Sequence, residues 1–148
     1  MRRIEGMGEA FRRARVVLLT TFSPTGEERA RPMTNVNDDP YETLSFPTDK
    51  ETRKVGDIQA NSRVLITFPG EEQGTYYEIE GEAHLAEAQE VRESWFWWYI
   101  YWHPHLGERY LTPQEGFWER KAVIHIKPIS ARQGSGEKAE KVRRDLKF

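Results

Sequence analysis

The sequence predicts a mainly β domain with flanking helices, in which an antiparallel sheet of six strands closes on itself as a small barrel. Three observations predict it. Six short apolar, β-branched runs are separated by Pro, Gly, Asn and Asp turn signals, and only three segments carry helical spacing. Strands and helices do not alternate as a doubly wound parallel sheet requires. At 148 residues the chain is one domain's worth, large enough to bury roughly 70% of the surface its unfolded form exposes.

The elements follow in order. Glu5 to Arg13 is a short amphipathic helix, with Ile4, Met7, Ala10, Phe11 and Ala14 at helical spacing. Val16 to Phe22 is a buried strand closed by the turn Ser23-Pro24-Thr25-Gly26. Glu28 to Asn37 alternates, with Arg29, Arg31, Met33 and Asn35 on one side. Pro32 marks that strand as an edge or a bulge, because proline cannot donate to a ladder. After Asp38-Asp39-Pro40 come a strand from Thr43 to Phe46 and a helix from Lys50 to Ala60, with Val55 and Ile58 inward and Asn61-Ser62 as its stop. Arg63 to Phe68 and Thr75 to Glu87 are strands around Pro69-Gly70. In the second, Tyr77, Ile79, Gly81, Ala83 and Leu85 share one face, and Glu78, Glu80, Glu82 and His84 the other. Glu87 to Trp102 returns to helix, and Ala122 to Ile129 is the last strand. Residues 1–133 are expected to form the domain and residues 134–148 a charged tail, frayed or loosely helical, outside its core.

Composition excludes several functions. Twenty-two basic and 24 acidic residues leave a net charge of −2, so no overall field attracts nucleic acid. With no cysteine there is no disulfide, thiolate metal site or cysteine nucleophile. The N-terminal arginines are not followed by the apolar stretch of a signal peptide, and the longest apolar run, Trp95 to Trp102, is far shorter than the ~20 residues a membrane helix needs. A cytoplasmic protein without membrane contact is the expectation.

One stretch, "FPTDKETRKV" from Phe46 to Val55, crowds Lys50, Arg53 and Lys54 at the start of a helix. The start of a helix carries about half a positive charge, so cations are unfavourable there and anions favourable. Thr48-Asp49-Lys50-Glu51 fits a capping box. With Arg53 and Lys54 one turn on, the free backbone N–H groups make a site for a phosphate-like dianion. The competing explanation is local: Asp49 with Arg53 and Glu51 with Lys54 have the spacing of ordinary surface ion pairs.

Resemblance favours the ligand. Phe46-Pro47-Thr48-Asp49-Lys50-Glu51-Thr52-Arg53-Lys54 resembles the flavin-phosphate segment of the pyridoxamine 5'-phosphate oxidase-like, FMN-binding split-barrel family. Arg31-Pro32-Met33 resembles the strand along the isoalloxazine ring, Asn61-Ser62-Arg63-Val64 the helix-to-strand turn, and Ile79-Glu80-Gly81 the family's Val-Glu-Gly strand. Among subgroups the chain is most similar to the short general stress proteins. The resemblance implies a six-stranded split β-barrel and FMN as cofactor. It places Arg53 and Lys54 on the phosphate, hydroxyl hydrogen bonds from Thr48 and Thr52, and Arg31, Pro32, Met33 and Thr34 along the ring and ribityl chain. It also implies a homodimer with flavin at the subunit interface, Tyr76 as a contact from the partner chain, and Trp102 near the flavin. Deazaflavin or haem in the same barrel is an alternative, as is a non-catalytic flavin-binding module. The resemblance names no catalytic residue and no substrate beyond a small molecule. The C-terminal motif of the vitamin B6 oxidases is replaced here by Ile129-Ser130-Ala131-Arg132-Gln133-Gly134.

The aromatic block Trp95 to Trp102 is apolar all round on a helix, which suits burial, in part at a subunit interface or else wholly within one chain. It lacks the interleaved Lys and Arg of a nucleic-acid platform. His103 and His105 have no third nitrogen or sulfur ligand nearby, so no metal site is expected; His84 and His125 read as surface residues or as cross-strand partners of Glu80 or Glu82.

Overall fold

The computed structural model describes residues 1–94 and 118–146. Six antiparallel strands form one sheet that curls into a half-barrel: β1 (Val16–Phe22), β2 (Glu28–Thr34), β3 (Leu44–Asp49), β4 (Arg63–Pro69), β5 (Thr75–Leu85) and β6 (Lys121–Ser135), in the order β2-β1-β4-β5-β6-β3. Around it lie α1 (Met7–Arg13), α2 (Arg53–Ala60), a helical stretch α3 at residues 88–94, and α4 (Glu137–Asp145). The two edge strands each carry a proline within them, Pro32 in β2 and Pro47 in β3, where a missing N–H donor leaves no inner ladder broken; of the inner strands, β4 ends on Pro69 and β6 carries Pro128 beside its register shift.

Alternation sets the core. Val17 and Leu19, Leu44 and Phe46, Val64, Ile66 and Phe68, Tyr77 and Ile79, and Ile124 and Ile126 turn inward and are buried, with Met7, Ala10 and Phe11 of α1 packed against them. Phe11 meets Phe68 edge-on at 5.3 Å between ring centroids, and Phe68 meets Tyr77 at 5.6 Å. The β5–β6 ladder shifts register between Glu80 and Gly81, where a Cβ on residue 81 would overlap Ile126.

Two expectations are corrected here. Thr48 and Asp49 do not cap a helix; they pair as strand with Ala122 and Lys121, the Lys50 N–H donates to the Arg120 carbonyl at 2.7 Å, and the helix begins only at Arg53. The ladder to β6, together with the Lys121–Asp49 ion pair at 2.7 Å, extends β3 through the proposed capping box. Neither Asp49–Arg53 nor Glu51–Lys54 is among the ion pairs of the described residues.

The C-terminal residues are also unlike a loose tail. β6 continues to Ser135, opposite Thr75, and α4 buries Ala139 and Val142 against Leu18 and Tyr76. Glu78 anchors the helix, accepting from Lys138 Nζ at 2.7 Å and Arg132 Nε at 3.1 Å. The apolar spacing Ala139, Val142, Leu146 is present in the sequence, but the high charge of the segment hides it.

Candidate functional site

α2 packs on β1 and β5 and reaches β2 through Asp57. Val55 and Ile58 are buried as predicted, and so is a residue that the sequence reading passed over, the carboxylate of Asp57. A buried carboxylate requires partners. Asp57 accepts from Thr21 Oγ1 at 2.8 Å and from an Arg29 guanidinium nitrogen at 3.3 Å. Thr21 in turn accepts from the Arg31 guanidinium at 2.7 Å. Strand alternation puts Arg29 and Arg31 on one side of β2, and Thr21 stands directly across from Arg29 on β1.

Lys54 lies one turn before Asp57, on the same side of α2. It is half-buried and, among the described residues, has neither a hydrogen bond nor an ion pair. Burial lowers its pKa, the nearby Arg31 guanidinium lowers it further, and Asp49, already bonded to Lys121, offsets this only in part. Burial also lowers the pKa of Arg31, against a raising effect from Asp57. Arg29 is neutralised by Asp57, while Arg31 and Lys54 share no carboxylate between them.

The backbone adds to this positive field. Thr52 is the N-cap residue, yet its hydroxyl donates backward to the Asp49 carbonyl at 3.1 Å and caps nothing. No acidic residue occupies the first turn of α2, so the N–H groups of its start stay unanswered by side chains. Among the described residues, no buried side-chain nitrogen or oxygen lacks a hydrogen bond. The balance of the site is positive, with Arg29, Arg31, Arg53 and Lys54 against Asp57 and Asp49, a charge that suits an anion such as a phosphate group.

The predicted site residues separate into groups. Arg31 and Lys54 come together; Arg53 is exposed on the first turn of α2; Pro32 and Met33 are half-buried and Thr34 exposed on the β2 edge. Phe46 is fully enclosed in the core and Thr48 is buried on the same face of β3, with Pro47 on the opposite face. Tyr76 is buried under α4 between Leu18 and Ala139, and a Cβ on Gly134 would overlap its ring. Trp102, the aromatic block, His103 and His105 lie outside the described residues. His125 is not a partner of Glu80 or Glu82: its ring bonds Ser45 at 3.0 Å and Glu90 at 2.5 Å, and His84 stacks beside it. Among the described residues no group of three potential ligands is arranged to hold a metal. Thr21, Arg29 and Asp57 were missed because their meeting depends on how α2 lies on the sheet.

The curled sheet and the basic helix start beside its β2 edge define the class, a split-barrel domain with a cationic patch. Residues 3–108 match the family described as "Pyridoxamine 5'-phosphate oxidase like", and the chain belongs to it. No curated protein matches the chain. Among solved structures, a Listeria innocua protein named for pyridoxamine 5'-phosphate oxidase is 26% identical, with 84% of this chain and 92% of that one covered and a TM-score of 0.64. General Stress Protein 26 of Bacillus anthracis is 20% identical over 87% of this chain and 91% of its own, with a TM-score of 0.61. A protein titled F420 reductase is 20% identical over 88% and 98%, with a TM-score of 0.64. At 20% identity these last two show the fold alone. No helix among the described residues is long and apolar enough to cross a membrane.

Proposed function

We propose that this chain is a cytoplasmic, homodimeric FMN-binding protein that acts as a flavin-dependent oxidoreductase on a small molecule. The observation that carries the reading is the pair Arg31 and Lys54, two half-buried cations near enough for the Arg31 charge to lower the Lys54 pKa, at a helix start without a side-chain cap and with no carboxylate bonded to either. The phosphate ester of FMN is a dianion of the right size for them, and family membership favours a flavin over other phosphate esters. Arg31, oriented by Thr21, supplies a planar donor fork, Lys54 a point charge, and exposed Arg53 a further cation at the rim. Pro32, Met33 and Thr34 on the β2 edge would lie along the ring and ribityl chain, while Phe46 and Thr48 are buried on β3; Tyr76, buried under α4, is left out of the site. Bound flavin would supply the electron transfer; the protein supplies position and electrostatics.

A visible absorption spectrum of the purified protein, followed by titration with FMN and with riboflavin, tests the reading. A flavin spectrum and a preference for FMN over riboflavin of about a hundredfold or more are expected if the phosphate makes two charge-assisted contacts. A colourless protein that ignores added FMN would overturn it, and a parallel titration with coenzyme F420 separates flavin from deazaflavin. Reduction of bound flavin by NADH or NADPH faster than that of free FMN marks an oxidoreductase, whereas its absence marks a flavin-binding module.

A further inference from the structure

We propose that Lys54 is also a modification site, acylated by small acyl phosphates that dock their phosphate on Arg31, and that this acylation closes the anion site. The inference rests on the reading that a phosphate group binds between Arg31 and Lys54. Its geometry is fixed by a chain of contacts: Asp57, one turn beyond Lys54 on the same face of α2, holds Thr21 at 2.8 Å, and Thr21 holds the Arg31 guanidinium at 2.7 Å. Lys54 shares that face of α2 and feels the Arg31 charge, which puts a phosphate docked on Arg31 on the Lys54 side of the helix.

Lys54 differs from other lysines of the chain. Lys121 is bonded to Asp49 and Lys138 to Glu78, both at 2.7 Å, and an ion-paired ammonium has no lone pair to give. Lys54 is partly withdrawn from water and has no such partner among the described residues. The charged groups around it are Arg29 and Arg31 on β2, Arg53 and Asp57 on α2, and Asp49 on β3. Asp57 and Asp49 are engaged by Arg29 and Lys121, and burial with the Arg31 charge raises the share of neutral amine. A lysine made nucleophilic by desolvation and a neighbouring cation is an established route to covalent chemistry.

The step balances without an oxidant or reductant. The Lys54 lone pair attacks the acyl carbon, the N–C bond forms, and the acyl C–O bond to phosphorus breaks. Its electrons leave with the phosphate, which carries away the amine proton as hydrogen phosphate. The amide product has no positive charge, so one of the two cations is gone and the patch can no longer grip a dianion as before.

To test this, the full-length, flavin-free protein in phosphate-free buffer is treated with acetyl phosphate, and acetylation of each lysine is followed by peptide mass spectrometry. Lys54 is expected to react about tenfold or more faster than exposed Lys50 and Lys127. Added orthophosphate should slow Lys54 alone, and N-acetoxysuccinimide, which carries no phosphate, should show a smaller preference. In Arg31→Gln the rate at Lys54 should fall to that of Lys50. Equal rates at Lys54 and Lys50 in the unmodified sequence would overturn the inference, as would an undiminished Lys54 advantage in Arg31→Gln. FMN titration of the same preparation keeps the two readings apart. Flavin binding with equal lysine rates removes only the modification site. A fast, orthophosphate-protected Lys54 in protein that does not bind FMN removes only the flavin reading.

Discussion

Two pairs of basic side chains sit on this sheet, Arg31 with Lys54 and Arg132 with Lys138, and they differ in what lies between them. Under α4, Glu78 occupies the gap. Burial alone would raise its pKa, but the Lys138 hydrogen bond and the charges of Lys138 and Arg132 outweigh that and lower it. The ring of Tyr76 lies against both cations, at 5.8 Å from Arg132 and 5.4 Å from Lys138. This pair is complete within the chain and ties a helix down. Beside α2 the buried carboxylate of Asp57 is bonded to Arg29 and to the Thr21 hydroxyl and acts on Arg31 only through space, as Asp49 does on Lys54, so these two cations are compensated only in part. A desolvated charge without a partner lowers stability, so its presence calls for a partner from outside the chain. The same residue types thus form a latch in one place and, on the function proposed above, a binding site in the other.

Four measurements break or sharpen that contrast. The largest effect is expected from Arg31→Ala with Lys54→Ala: FMN affinity should fall by about 3 kcal/mol or more, discounted for the partial exposure of both groups, with folding retained. Unchanged affinity by isothermal titration would show that the phosphate binds elsewhere. Next, Glu78→Ala should release α4, at a cost of about 1–2 kcal/mol after solvent screening of the half-exposed cations, read as faster amide hydrogen exchange at Ala139 and Val142. FMN binding should not follow it.

Acid should reproduce that release more gently. The folded pKa of Glu78 lies below its unfolded value, so its contribution is present above the ordinary glutamate range of about 4.3 and is lost as pH falls through the lower folded value. Hydrogen exchange in α4 should accelerate over that window in the natural sequence and lose this pH dependence in Glu78→Gln. The smallest effect has the opposite sign: Lys54→Met, which removes an unpartnered cation, should raise the melting temperature of the flavin-free protein, by roughly 0.5 kcal/mol of stability. A fall would mean that Lys54 is compensated in the folded chain.

The strands were legible because alternation and turn residues act locally. Val16 to Phe22, Arg63 to Phe68 and the two-faced strand from Thr75 appear where the pattern puts them, and Pro32 marks an edge for the reason given. The helix start was misplaced by three residues because a capping box is a local preference worth about 1 kcal/mol, whereas the β3–β6 ladder adds several hydrogen bonds and the Lys121–Asp49 pair. The final helix was hidden because Ala139, Val142 and Leu146 are too few to stand out among charges until Leu18 and Tyr76 supply the other half of their contact.

By itself, then, the sequence determined the strand content, the edge marked by Pro32 and the gathering of cations around a helix start. These follow from period-two alternation, the missing proline donor and residue type, all of which act within a few positions along the chain. Tertiary structure decided that the Arg31 charge bears on Lys54 while Arg53 stays exposed, that Asp57 is spent on Arg29 and Thr21, and that Glu78 closes the other pair. Electrostatic compensation depends on distance and burial in space, and β1, β2 and α2 bring together residues more than 30 positions apart.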